Sequence, residues 1–276
     1  MKWLRFILSH SLFISLCAFS LCWQTFILLH VPVNTDICLL VFFATLGSYN
    51  FYWLISKYHF SDKRGIIDFF YKNISNVIVL LTATVGLVYF NNLVKEIWTV
   101  IIISVMLTLA YSVPLWPVKQ LAFARKAGFL KTVLLAFTWT YVTIMIPVKQ
   151  AELDINMSVV LLFTARFLFM LMLCIIFDSR DVTVDKIRSL SSLATDVSKR
   201  ILGIIMTFLF FTYLAAGFLL RYYFEDNAQV AAFFVTGIVV LAVYRLSLQK
   251  QGYFFYYFLV DGLMLFSATA TIVASI

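Results

Sequence analysis

The sequence has little charge and few residues that break helices. Charged residues make up 12% of its 276 residues, 63% are hydrophobic, and there are only 9 glycines and 4 prolines. An average globular chain is about one quarter charged, so a soluble domain has no way to hide this much apolar surface. The composition excludes a soluble protein. It predicts an all-α integral membrane protein in which residues 1–276 form one multi-pass domain.

The sequence also lacks the motifs of common soluble enzymes. It contains no glycine-rich nucleotide-binding loop, no His-Glu-x-x-His zinc motif and no nucleophile elbow. The four cysteines fall within apolar runs and lack metal-ligand spacing, which predicts buried, reduced thiols. The three histidines are isolated from one another, and we expect packing or interfacial roles for them: His10, His30 and His59.

Nine apolar runs, each about the length of a bilayer span, divide the chain. The first run is too long for a signal peptide and no small-residue cleavage site follows it, so we expect a retained first helix. The runs predict nine transmembrane helices near residues 8–31, 36–56, 74–90, 96–113, 130–148, 157–177, 200–220, 229–248 and 253–275.

The basic residues are distributed unevenly between the two sides of this nine-span arrangement. One side carries seventeen, and the other carries only Lys95, Lys149 and Arg221. Because cytoplasmic loops carry the excess of Lys and Arg, the N-terminus is predicted inside and the C-terminus outside, in a bacterial cytoplasmic (inner) membrane. The net charge of +8 then reflects topology and contact with membrane lipids, and we expect no nucleic-acid binding.

Three aspartates follow the sixth apolar run directly: Asp178, Asp181 and Asp185. Positions i, i+3 and i+7 lie on one face of a helix. Ionised carboxylates on one face repel each other unless a cation neutralises them, and such hard oxygen ligands suit Mg²⁺ with a phosphorylated substrate. The alternative interpretation is a solvated, mixed-charge loop at the end of a membrane helix.

Two other segments on the cytoplasmic side carry candidate binding residues. In the fourth connection, two prolines precede Lys119, Arg125 and Lys126, which suits either a diphosphate or an ordinary positive-inside loop. Asn50 lies near the end of the second run, between tyrosines. There it either lines a pocket or forms an interhelical hydrogen bond.

Two charged residues lie inside predicted spans, where a charge is costly and usually faces a cavity or a partner. Arg166 and Asp261 are at comparable distances from the cytoplasmic edge. They are expected either to form a buried ion pair or to be satisfied separately.

Together these features resemble the UbiA superfamily of intramembrane prenyltransferases. The resemblance rests on nine helices, on the long cytoplasmic connections and on two short motifs. The first is Tyr-Ser-x-Pro, which begins at Tyr111 and is followed by Lys119. The second is Arg-Asp-x-x-x-Asp-Lys, from Arg180 to Lys186, which is similar to the second acidic motif of menaquinone-pathway members.

The resemblance implies a helical bundle with a cytoplasm-facing cavity, in which Mg²⁺ holds the diphosphate of an isoprenoid donor. It implies that Asp178, Asp181 and Asp185 bind the metal, with Asp181 and Asp185 catalytic. The substrate-binding residues that it implies are Asn50, Tyr111, Lys119, Arg125, Lys126, Arg180 and Lys186.

The first acidic motif of the superfamily is not intact, because Leu54 and Tyr58 stand in its two aspartate positions. One expected function is therefore a Mg²⁺-dependent enzyme that transfers an isoprenyl group from a polyprenyl diphosphate to an aromatic or other lipophilic acceptor. Another is a non-catalytic lipid- or quinone-binding protein on the same scaffold. An unrelated small transporter is disfavoured by the odd number of spans and the lack of internal repeats.

Overall fold

The computed structural model describes residues 2–59, 66–112, 128–187, 197–223 and 227–276. All regular structure in these ranges is helical, and each of the nine predicted apolar runs contains a helix. The helices are α1 (Lys2–Ser9), α2 (Leu12–Leu28), α3 (Thr35–His59), α4 (Ile66–Lys72), α5 (Ile74–Tyr89), α6 (Asn91–Glu96), α7 (Trp98–Ser112), α8 (Gly128–Gln150), α9 (Met157–Ile187), α10 (Lys199–Leu219), α11 (Asn227–Ser247) and α12 (Asp261–Ala274).

Length and apolarity identify the helices that cross a bilayer. Six segments of the described chain, each 20 to 24 residues long, meet both conditions, and the bent pair α1 and α2 would add a seventh. Helices α5 and α7 are apolar but shorter, with 16 and 15 residues. The protein is therefore an integral, multi-pass helical membrane protein, and the number of nine spans stays a prediction.

The first predicted helix, near residues 8–31, corresponds to α2, and the bend that separates α2 from α1 was not predicted. The chain bends by 67° between α1 and α2, and Ser11 at the bend has the left-handed backbone angles φ 61° and ψ 14°. The His10 ring packs on Phe6 with a centroid separation of 4.1 Å. The bend turns α1 away from the axis of α2 and leaves the carbonyl of His10 outside the helical hydrogen-bond pattern.

Helix α9 is the most buried of the six segments. In the 18-residue apolar stretch of α9, 72% is buried inside the protein, against 39–44% in the corresponding stretches of the other five segments. Lipid or protein can surround a helix that is apolar on all sides, and α9 is surrounded by protein because it packs against α8, α10 and α11. This packing fixes the position of α9 and of the residues that follow its apolar run.

Helices α3 and α5 approach each other closely at Gly86. A Cβ atom at this position would lie 2.5–2.6 Å from the ring of Phe43. Any larger residue would therefore push the two helices apart, because this part of Phe43 has no room to yield. Helix α3 also packs on α2 and α8, and α2 in turn packs on α12.

The four cysteines are free and buried, which confirms their prediction as buried thiols: Cys17, Cys22, Cys38 and Cys174.

A buried hydrogen-bond network surrounds Arg166 in the middle of α9. Its guanidinium donates to the carbonyl of Leu21 at 3.2 Å, to Oγ1 of Thr143 at 3.2 Å and to Oε1 of Gln24 at 2.8 Å. The Gln24 amide then donates to Oγ1 of Thr271 at 2.7 Å. The network joins α2, α8, α9 and α12, so a single charged side chain ties four helices together.

The predicted ion pair between Arg166 and Asp261 is wrong. The guanidinium of Arg166 donates its hydrogen bonds to uncharged acceptors. The cation whose charge acts on Asp261 is Arg180. Both residues are buried and described, and no ion pair joins them. The two charges are satisfied separately, which was the alternative expectation.

Replacing Gln24 with leucine tests this network. The change leaves one guanidinium N–H of Arg166 without its acceptor, and a hydrogen bond to a charged group contributes about 1.5–3 kcal/mol. We expect Gln24→Leu to lower the thermal midpoint of the purified protein clearly. Thr164→Val is the matched control, because Thr164 is exposed on α9 and bonds only to the carbonyl of Val160. Equal midpoints for the two variants would contradict the account.

Candidate active site

The backbone of α9 remains helical beyond the predicted end of the apolar run and continues to Ile187. The stretch that carries the three aspartates is therefore helix, and the interpretation as a loop is wrong. The spacing of Asp178, Asp181 and Asp185 places these positions on one face of α9. The side chains of Asp181, Asp185 and Lys186 lie outside the described residues.

Asp178 is held at the inner side of the bundle by α8. Its Oδ2 accepts a hydrogen bond of 2.6 Å from the hydroxyl of Thr132. Its charge also acts on Tyr111, at the end of α7, and on Cys174. Asp178 thus faces α7 and α8, and this orientation brings the first of the three aspartates to the interior.

Arg180 lies in an aromatic cage at the same end of α9. Its guanidinium carbon is 5.3 Å from the ring centroid of Phe177, 5.4 Å from that of Tyr256 and 5.0 Å from that of Tyr257. Cations at these distances are attracted by the negative faces of aromatic rings. The cage and the buried Asp261, on whose carboxylate the charge of Arg180 acts, fix this cation beside the acidic face.

The two tyrosines of the cage belong to a π-helical segment, Phe255–Val260, that leads into α12. Segments of this kind are rare and are frequent at functional sites. The wider turn interrupts the regular hydrogen-bond ladder immediately before Asp261. It therefore places both tyrosines and one carboxylate toward α9.

Tyr49 on α3 marks an opening inside the bundle. Its side chain is 38% exposed, yet its ring centroid lies 6.3 Å from that of Trp139 on α8. It also lies within electrostatic range of Tyr111 and Asp261. A side chain that is exposed while it faces α7, α8 and α12 must border a space between those helices. We infer an interior opening lined by polar and aromatic groups.

Asn50 forms interhelical hydrogen bonds. It is only 1% exposed. Its Nδ2 donates to the carbonyls of His10 at 3.0 Å and Leu46 at 2.8 Å, and its Oδ1 accepts from Nδ2 of Asn76 at 3.2 Å. The amide therefore joins α3 to the end of α1 and to α5. A role for Asn50 in substrate binding stays a prediction.

The positions that would complete a first acidic motif lie on the same face of α3 as Asn50. Leu54 is 7% exposed and belongs to the packed interior. The ring of Tyr58 packs edge-on against Phe69 at 5.1 Å. Asp68 on α4 is exposed, and Asp62 lies outside the described residues. This face of α3 thus offers packing surface where two carboxylates would be needed.

The residue types on this face of α9 suit a magnesium ion, because carboxylates are the hard ligands that Mg²⁺ prefers, with water and phosphate oxygens completing its octahedron. On α3, Leu54 has no ligand atom and Tyr58 has only a phenol oxygen, so these two positions supply no carboxylate. In the described part of the chain no three potential ligands cluster, and that part excludes the carboxylates of Asp181 and Asp185.

The predicted basic residues of the fourth connection, Lys119, Arg125 and Lys126, lie outside the described residues. Their roles, like that of Lys186, stay predictions.

Sequence reasoning missed several residues of this region. Thr132 and Lys131 follow the start of α8, and the charge of Lys131 acts on Cys174, one turn before Asp178. Tyr256 and Tyr257 belong to an aromatic run that precedes Asp261, which was the available signal. Asp261 was noticed as a buried charge, with a pair to Arg166 as one of two expectations, and Arg180 was not considered as its neighbouring cation.

The fold and the site define a multi-pass helical membrane protein whose most buried helix, α9, continues into a stretch with three aspartate positions on one face. The chain is similar in structure to a solved digeranylgeranylglyceryl phosphate synthase, with a TM-score of 0.54 and 14% sequence identity over 100% of this chain and 99% of that one. At this identity the likeness shows a shared fold. No protein-family model and no curated protein matches the sequence.

A double-mutant cycle tests the coupling between Arg180 and Asp261. Arg180→Gln leaves the buried carboxylate without its neighbouring cation, and removing one partner of a buried pair costs about 3–5 kcal/mol. We expect a large fall in the thermal midpoint for Arg180→Gln and substantial recovery when Asp261→Asn is added. Additive effects of the two changes would show that the charges are not coupled.

Proposed function

We propose that the protein is a UbiA-type membrane prenyltransferase that transfers an isoprenyl group from a polyprenyl diphosphate to an aromatic or other lipophilic acceptor. The observation that carries the proposal is the continuous helix α9, which has three aspartate positions on one face, the first of them bonded to Thr132. The similarity in fold to a prenyl-lipid synthase supports it. The proposal includes nine spans, a cytoplasmic N-terminus and a bacterial inner membrane.

In the proposed site, Asp178, Asp181 and Asp185 hold one Mg²⁺, with Asp181 and Asp185 as the catalytic carboxylates. When bound, the ion supplies neutralising charge to the diphosphate leaving group. Lys119, Arg125, Lys126 and Lys186 add positive charge around the same group.

The proposed reaction exchanges one bond for another. The bond between the isoprenyl carbon and the diphosphate oxygen breaks, the bond between that carbon and the acceptor forms, and the acceptor loses a proton. Arg180 is held beside the acidic face by its aromatic cage, where it helps to bind the diphosphate. Tyr111 and Asn50 are proposed to bind substrate from α7 and α3, and the apolar interior holds the prenyl chain.

One acidic face must do the work that two acidic motifs share elsewhere in the superfamily. A site with fewer carboxylates binds fewer metal ions. Basic side chains of the protein must then neutralise more of the negative charge of the diphosphate. The guanidinium of Arg180 lies over the ring of Phe177, and the charge of Lys131 acts on Cys174, both at this end of α9. These fixed cations are consistent with a site that uses a single ion.

The second candidate function is a non-catalytic lipid- or quinone-binding protein on the same scaffold. The packing of Leu54 and the edge-on contact of Tyr58 with Phe69 favour it, because they replace ligands of the superfamily's first motif with interior and aromatic contacts. Such a protein would keep the opening and its lipophilic ligand but would not turn over a prenyl diphosphate.

Removal of a proposed catalytic carboxylate tests the enzymatic proposal. We expect the purified protein to transfer label from an isoprenyl diphosphate into a lipid-extractable product with Mg²⁺, and Asp181→Ala to reduce the rate about 10²–10³-fold, as loss of a group that stabilises transition-state charge does. Asp154→Asn is the control, because Asp154 is exposed at the opposite end of α9. Equal rates for the two variants would contradict the assigned role of Asp181.

Ligand-dependent stability separates the two candidate functions. A ligand that binds the native state must raise the midpoint of unfolding. For the enzyme, we expect Mg²⁺ with an isoprenyl diphosphate to raise the midpoint in detergent, and Asp181→Ala to abolish this shift. The non-catalytic protein would show no shift with the diphosphate but would retain one with an uncharged isoprenoid quinone.

A further inference from the structure

A groove of about 880 Å³ lies between α10 and α11, and none of the residues assigned to the proposed active site lines it. Its volume is within the range of about 300–1,000 Å³ that is typical of ligand sites. Phe208 and Phe211, on the groove wall, are largely exposed although they belong to a membrane-crossing segment. The groove therefore opens toward lipid.

One end of the groove is strongly basic. Lys199 and Arg200 begin α10, and Arg245 lies in the last turn of α11, so the two antiparallel helices bring three cations to the same end. The described residues that line the groove include no carboxylate. The N-terminus of α10, capped by the hydroxyl of Ser198, adds partial positive charge at this end. The basic end is thus complementary to an anion.

A tyrosine hydroxyl faces the floor of the groove. It belongs to Tyr244, a lining residue of the groove that is 5% exposed as a whole. Gly203 leaves the space beside it open: a Cβ at Gly203 would meet only this Oη, at 3.9 Å. A phenol hydroxyl at this place can donate a hydrogen bond to an acceptor oxygen of a ligand in the groove.

The length of the groove matches one leaflet. Lys199 and Phe211 are twelve positions apart on α10, which is about 18 Å along a helix, and half of the hydrocarbon core is about 15 Å. From the basic end, the groove continues into an apolar section lined by Phe208, Phe210, Phe211 and Leu241. This arrangement suits an anionic headgroup followed by an acyl chain.

We propose that the groove between α10 and α11 binds an anionic glycerophospholipid, with its phosphate among the cations and an acyl chain along the phenylalanines. The hydroxyl of Tyr244 donates to a headgroup or ester oxygen. Three cations without a lining carboxylate favour an anionic lipid over a zwitterionic one. The site does not depend on prenyl transfer.

The test titrates the full-length protein with phosphatidylglycerol and, separately, with phosphatidylcholine of the same acyl chains. Native mass spectrometry measures the affinity for each lipid. We expect tighter binding of phosphatidylglycerol, and a loss of about 30-fold in Arg200→Gln/Arg245→Gln, since each basic residue at a membrane surface contributes about 1 kcal/mol. Gly203→Leu should fill the floor and weaken binding of this one lipid. Arg221→Gln, at the other end of α10, should leave it unchanged.

The thermal midpoint of each variant is compared with that of the unchanged protein in the absence of lipid. This comparison separates loss of the binding site from loss of the fold. The proposal is overturned by equal affinities for the two lipids, or by a folded Arg200→Gln/Arg245→Gln or Gly203→Leu protein that retains full phosphatidylglycerol affinity. It is also overturned if an isoprenyl diphosphate displaces the bound lipid at equal concentration, or if a second copy of the chain covers the groove instead.

Discussion

Hydrocarbon offers no partner to a charged or polar group, so every such group on a membrane helix must be satisfied by the protein. This constraint acts most strongly on α9, which carries Arg166 in its middle and Asp178 and Arg180 where its apolar run ends. Arg166 is held by groups on α2 and α8, and Asp178 by Thr132 on α8. Arg180 is held by its aromatic cage, which includes Tyr257 just before α12, and by the charge of Asp261, the first residue of α12.

These contacts fix α9 in position and rotation, and the acidic face that follows is fixed with it. A helix free to rotate by one residue would turn its aspartates by about 100° away from the opening, because successive residues are spaced by that angle. The buried polar contacts therefore have a functional consequence beyond stability. They determine which way the proposed metal ligands face.

The opposite wall of the opening has a different character. On α3, Asn50 bonds to His10 and Asn76, Leu54 packs in the interior and Tyr58 contacts Phe69 edge-on. This stretch of α3 is uncharged, whereas α9 is acidic and flanked by cations. A site with one acidic wall can hold fewer metal charges, which is why the fixed cations Arg180 and Lys131 matter in the proposed chemistry.

Local patterns predicted the helices well, because apolar runs and the i, i+3, i+7 spacing of the aspartates depend only on neighbouring residues. The bend at Ser11 was missed, since neither glycine nor proline marks it. The partner of Arg166 was also missed, because depth in the membrane limits which residues can meet but does not choose between Gln24 and Asp261. For Asn50 the sequence left two possible roles, lining a pocket or forming an interhelical hydrogen bond. Its hydrogen-bond partners are visible only once the neighbouring helices are in place.

The most direct measurement is an experimental structure of the protein with Mn²⁺ and a non-hydrolysable isoprenyl diphosphate analogue, in which the ion is located by its anomalous signal. Mn²⁺ accepts the same carboxylate and phosphate ligands as Mg²⁺. The account predicts one ion on the face of α9 that carries Asp178, Asp181 and Asp185, with the diphosphate beside it and the prenyl chain in the interior opening. An ion elsewhere, or an empty acidic face at saturating Mn²⁺ and analogue, would contradict it.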